Sequence, residues 1–441
     1  MKKIAVFFVL FCFVLTGSVI AFDESWITST SIGNPDAEIV LTMSIGVDYT
    51  TASSYVQRQN WAYETYSNWA RKHPNVRIEV ELRPSGDISV YMAKLLNQAA
   101  VGRAPDIVNI DSFWLSNFTK RGYVQSIDEF MSEDEKNQWF DFTKAVCQID
   151  GEQYALWGET DARYLYYRKD MFPKAPETWD ELIEYASAAS EKYGVHGFLT
   201  IPGHGEGAVN ECTWPYFWAQ GGNIFDEEGK PIFGIGENKE RLISIYTWYV
   251  DLIEAGASPR MMASFNNFDN ILAEYKAGNV ASFIEGSWAV AQLKELDAEQ
   301  WEKIGMAPFP QKEAGQRANS NGGWTFALFT DDSDKKREAF NFVWECFMSQ
   351  EAMAKRCMIY NYIPVRKDIF EHYSFFRDDP LQQLFGESLQ YGRARPASPL
   401  YTIVSDSLAT ALGNILMGRQ TPEDAIDQAQ RTVMEAYEEQ N

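Results

Sequence analysis

The chain has 441 residues, with 62 Asp and Glu against 39 Lys and Arg, and a formal charge of −23 at pH 7. That acid excess argues against nucleic acid or an anionic lipid surface as partner. Hydrophobic residues at 45% exclude a disordered chain and suffice for two domain cores.

Lys2 and Lys3 precede an apolar run, Ile4 to Leu15, and small residues lead to Val19-Ile20-Ala21. The run is shorter than the roughly 20 residues needed to span a bilayer, so residues 1–21 are expected to be a cleaved secretory signal peptide. Residues 22–37 are polar and turn-rich, and read as a flexible leader. Alternation of strand and helix begins at Glu38: strand 39–43, helix 61–72 ended by His73-Pro74, strand 76–82, helix 90–100 closed by Gly102, and strand 106–111 ending on a carboxylate. This β-α-β-α-β order implies a mostly parallel wound sheet, whose ligands sit at the carboxyl ends of strands. On that geometry Asp48, Tyr49 and Asp111 become candidate contacts.

In the second half, strands are expected around 153–157, 165–167, 280–284, 306–308 and 324–329. Thr178-Trp179-Asp180-Glu181 is a capping box that starts a helix to Tyr193, stopped by Gly194. Further helices are expected at 240–255, 268–277, 334–348, 402–417 and from Pro422 to about Tyr437. Beyond the leader peptide the cysteines are Cys147, Cys212, Cys346 and Cys357, without CxxC spacing. All four read as buried thiols. Cys346 and Cys357 would share one face about 16 Å apart if their helix is continuous, too far to bridge. The four histidines show no metal-ligand spacing, so no metal or other cofactor is expected. Aromatic residues make up 15% of the chain, with 14 Trp; most must fill cores, and some suit the apolar faces of sugar rings.

Several ordered segments carry a resemblance. Gly102-Arg103-Ala104-Pro105-Asp106 leads to a strand, Asp111, Trp114 and Ile127-Asp128-Glu129-Phe130. Gly151-Glu152-Gln153-Tyr154 precedes Leu165-Tyr166-Tyr167-Arg168-Lys169-Asp170-Met171-Phe172 and Thr178-Trp179-Asp180-Glu181-Leu182. Gly286-Ser287-Trp288, Gly322-Gly323-Trp324, Tyr362-Ile363-Pro364 and Gly418-Arg419-Gln420-Thr421-Pro422 follow in order. The set resembles the extracellular solute-binding proteins of ABC importers, in the carbohydrate-binding branch typified by maltose-binding protein. Trp157 stands where that family usually has Pro, and Arg168 where it has Asn.

The resemblance implies a non-enzymatic, α/β protein of the periplasmic-binding-protein type II fold, with two wound lobes joined by a hinge around a ligand cleft. Lobe one would take 38–150 with 304–357, and lobe two 151–303 with 358–441. It implies a carbohydrate ligand, membrane permease subunits as partners, and a monomer outside the cytoplasmic membrane. The implied ligand contacts are Asp111, Trp114, Asp161, Glu211, Trp214, Trp288, Gly323, Trp324 and Tyr401, beside Asp48 and Tyr49. Arg366 and Arg395 could offer guanidinium forks, and His204 sits in a glycine-rich loop. Two alternatives stay open: the same fold holding a polyamine or amino-acid-like solute, and a secreted glycoside hydrolase using a pair such as Asp111 with Asp161 or Glu211 with Glu285.

Overall fold

The computed structural model describes residues 22–83, 88–203, 205–265 and 267–440; the expected signal peptide and His204 lie outside the described residues. Alternating apolar side chains build a first sheet of six strands, in the spatial order Ser31–Gly33, Val76–Arg83, Ile39–Gly46, Ile107–Asp111, Trp324–Leu328 and Ala155–Trp157. The central strand Ile39–Gly46 runs parallel to both Val76–Arg83 and Ile107–Asp111. The helices Val56–Lys72 and Ile88–Ala100 make the two crossovers that parallel pairing requires. The other three strands pair antiparallel.

Residues 22–37 are not a loose leader. Ser31–Gly33 adds an edge strand against Arg77–Glu79, and Trp26, Ile27 and Ile32 are buried in the first core. A few apolar side chains dispersed among polar ones suffice once a sheet edge is available to them, because burying each offsets part of the ordering cost.

The second core surrounds a three-stranded antiparallel ladder, Ser282–Gly286, Arg163–Arg168 and Ile304–Ala307. It is packed by helices Trp179–Tyr193, Gly236–Glu254, Tyr401–Leu416 and Pro422–Gln440. The capping residues act locally as the sequence suggests. Thr178 Oγ1 accepts from the Glu181 N–H at 3.3 Å, and Gly194 closes the helix in the left-handed conformation at φ 69°.

The lobe boundaries differ from the expected ones. Ala155–Trp157 belongs to the first sheet, so the chain leaves that lobe only after Trp157. Ile304–Ala307 pairs inside the second sheet, and the chain returns between Asn319 and Trp324. It crosses last between Phe376, in the first core, and Phe385, in the second. Strand pairing decides these borders, and pairing partners are not written in local sequence.

Cys147, Cys212, Cys346 and Cys357 are free and buried. The helix expected to carry the last two is broken: a π turn at Trp344–Met348 ends at Ser349, whose side chain caps a new helix, Gln350–Tyr360.

Candidate functional site

The first two chain crossings lie side by side between the lobes. Glu159-Thr160 pairs with Ile363-Pro364, and Asp161 bridges Gly322. Thr160 Oγ1 donates to the Gly322 carbonyl at 2.7 Å, and the Gly322 N–H donates to Asp161 Oδ1 at 3.1 Å. Gly323 has φ +153°, and a Cβ there would meet the Glu159 carbonyl and Trp157 Nε1, each at 2.4 Å. Only glycine fits. Trp157 is one cause of that tightness, since its indole N–H donates to the Glu159 carbonyl at 2.7 Å. Trp157 thus braces the crossing.

A pocket of about 140 Å³ opens on this layer, lined by Glu159, Thr160, Asp161, Gly323, Trp324, Tyr362 and Trp288. Trp324 starts a strand of the first lobe, and Arg83 covers one face of its indole, the guanidinium carbon 3.2 Å from the ring centroid. Burial pulls the Arg83 guanidinium down to about 10. Trp288 comes from the second lobe. Its ring lies against Gly286, where a Cβ would sit 2.0 Å from it, and Phe268 meets it edge-on at 5.9 Å. Both indoles are therefore held in place by neighbours rather than swinging freely.

Behind the aromatic walls lies a charged layer. Asp161 Oδ1 accepts from Arg163 at 2.9 Å, and Arg163 Nε donates to Glu211 at 3.1 Å. Burial pushes the Glu211 carboxyl up to about 8, with Arg163 opposing it. Glu285, also buried, is raised by burial and by Glu211. Glu159 accepts from the Tyr49 hydroxyl at 2.6 Å and pairs with Arg356, both partners deeply buried. Burial raises the Glu159 carboxyl, and Arg356 works against it. The pocket's carboxylates thus have fixed geometry and lone pairs to spare for hydroxyl donors.

A second cluster joins the lobes. Arg395 donates to Asp111 at 2.6 Å and to Glu206 at 3.1 Å. The Tyr401 hydroxyl donates to Glu206 at 2.6 Å and accepts from Trp214 Nε1 at 2.7 Å.

Of the expected contacts, Asp161, Trp288, Gly323 and Trp324 come together in the pocket. Tyr49 and Glu211 stand behind it, gripping pocket residues or their partners. Asp111, Tyr401 and Trp214 belong to the second cluster, where Trp214 is fully buried. Asp48 pairs with Arg58 at 3.0 Å. Trp114 packs against both cores, its indole N–H buried without a partner among the described residues. Arg366 does not join them: it is buried in the first lobe, held by Asp368 at 2.7 Å and Glu135 at 3.1 Å, with Trp139 beneath its guanidinium. Glu159, Thr160 and Tyr362 escaped the sequence reading as contacts. The signal for Glu159 and Thr160 was their adjacency to Asp161, and for Tyr362 its place beside Ile363-Pro364.

A family model described as bacterial extracellular solute-binding protein matches residues 64–382. The maltotriose-binding protein of Pyrococcus abyssi is 24% identical over 78% of this chain and 71% of its own length. The arabinooligosaccharide-binding protein of Halalkalibacterium halodurans is 23% identical over 83% and 84%. Among solved structures, the maltose-bound MalE3 of T. maritima superposes with a TM-score of 0.77 at 23% identity, covering 90% of this chain and 99% of its own. An ABC transporter solute-binding protein of Thermotoga lettingae bound to α-D-tagatose gives 0.75 at 23% identity, covering 90% and 99%.

Proposed function

Because the chain belongs to the bacterial extracellular solute-binding protein family, we propose that it captures a sugar or oligosaccharide between its lobes and presents it, outside the cytoplasmic membrane, to the permease of an ABC importer. One observation carries the sugar assignment: an indole from each lobe, Trp288 and Trp324, faces one pocket whose polar lining is Glu159, Thr160 and Asp161. A pyranose or furanose ring offers apolar C–H faces to the indoles and hydroxyls to the carboxylates. The maltotriose-binding and arabinooligosaccharide-binding relatives and the maltose-bound structural neighbour point the same way.

The mechanism follows from the placement. A ligand touching Trp288 and Trp324 together is fully bound only when the lobes approach, so it stabilises the closed arrangement by its differential affinity. The hinge strands carry the pocket's acids, so occupancy is read at the point of rotation. Relatives and structural neighbours are named as binding proteins, which supports a carrier without chemistry of its own; the protein works as a monomer.

The test is a thermal-shift screen of residues 22–441 against mono- and oligosaccharides, polyamines and amino acids, followed by calorimetric titration of any hit. A ligand that binds only the folded state raises the melting temperature. A sugar-specific shift that disappears in Trp288→Ala supports the proposal. A shift confined to polyamines or amino acids would overturn the sugar assignment.

A further inference from the structure

At the end of the strand Arg163–Arg168 opposite to Arg163 lies a second pocket, of about 160 Å³, in the second lobe alone. Arg168 lies five positions beyond Arg163, about 17 Å of extended chain, so this pocket is distinct from the one between the lobes. Its walls include Arg168, Lys276 and Lys303, together with Gln300 and Tyr275. The chain has 62 acidic residues, yet no carboxylate lines this pocket.

Each cation does have an acidic neighbour. Arg168 holds Asp170 at 2.8 Å, Lys276 holds Glu295 at 3.3 Å and Lys303 holds Glu299 at 2.7 Å. In every pair the cation is the more buried member: side-chain exposures are 20% against 40%, 27% against 65% and 37% against 82%. The cations turn inward and the acids face water, where such pairs are weak and readily exchanged. A donor also remains unspent. Arg168 spends Nε and Nη2 on Asp170, and the Tyr275 hydroxyl is buried without a hydrogen-bond partner among the described residues. Tyr275 itself is 97% buried, at 3% exposure. A buried hydroxyl without a partner is costly unless something supplies an acceptor.

We propose that this pocket binds a small free oxyanion of the phosphate or sulfate class. Three cations arrive from separate places in the chain: a strand end, the end of helix Phe268–Lys276, and the turn after helix Ala298–Glu302. The ligand must be small, given the volume. It must also be free rather than part of a membrane, because the strongly acidic chain is repelled by an anionic surface.

The test is calorimetric titration of residues 22–441 with inorganic phosphate and with sulfate, against chloride at matched ionic strength. Saturable heat with one of the two oxyanions and none with chloride is expected. Lys303→Gln and Lys276→Gln, both near the surface, should each weaken it about fivefold or more while leaving sugar binding unchanged. Trp288→Ala should leave oxyanion binding intact. Absence of saturable binding by either oxyanion in the wild-type protein would overturn the proposal, as would binding undiminished in both lysine variants.

Discussion

At the scale of single residues, the proposed site rests on its two indoles. Trp324→Ala and Trp288→Ala should each weaken sugar affinity by at least tenfold, about 1.4 kcal/mol, with little effect on folding; calorimetry alongside a denaturation curve separates the two. Glu211 supplies a different kind of test. Burial disfavours the charge and pushes its carboxyl from an ordinary 4.5 up to about 8 in the folded chain. The folded state therefore holds a proton that the unfolded state has already lost between those values. Stability should fall as pH rises from about 5 to about 8 and then level off. Glu285, raised by the same burial, contributes in the same direction. In Glu211→Gln the slope over that window should be shallower, as read from urea midpoints at each pH. An unchanged slope would mean that Glu211 titrates normally.

At the scale of elements, Gly323 marks how tightly the crossings are built. Gly323→Ala would drive a methyl group into the Glu159 carbonyl and the Trp157 indole, and should cost about 2 kcal/mol in stability, measured by chemical denaturation. It should also displace Trp324 and weaken sugar binding. Most elements were legible in the sequence because their signals are local. Thr178 and Gly194 bound their helix, and the alternation of Val76–Leu82 marks its strand. What was hidden depends on distant partners. Ser31–Gly33 is a strand only because Arg77–Glu79 offers an edge, and Glu159 lines a pocket only because Gly322-Gly323 returns beside it. Arg366 misled for the converse reason: an arginine after a family motif looks like a ligand fork, but Asp368, two residues on, already occupies it.

At the scale of the molecule, Arg395 comes from the chain after its last crossing and Asp111 from the first sheet, and the two meet at 2.6 Å. Asp111→Asn should shift the ligand-free protein toward open forms, seen as a larger radius of gyration in small-angle scattering. Apparent sugar affinity should fall in proportion to the closed fraction, severalfold, without loss of pocket contacts. On the proposed reading, the cluster of Asp111, Arg395, Glu206 and Tyr401 would set the balance on which the ligand acts, whereas Trp288 and Trp324 would touch the ligand itself.

The buried thiols have a practical consequence. Cys147, Cys212, Cys346 and Cys357 are each at most 2% exposed, so none competes for a thiol-reactive dye under native conditions. Cysteines placed on the rims of the two lobes would then be the reactive thiols of the folded protein. A dye pair attached there would report lobe closure as a change in energy transfer. The protein is thus a ready scaffold for an optical sensor that reads solute concentration directly, without an enzyme or a consumed reagent.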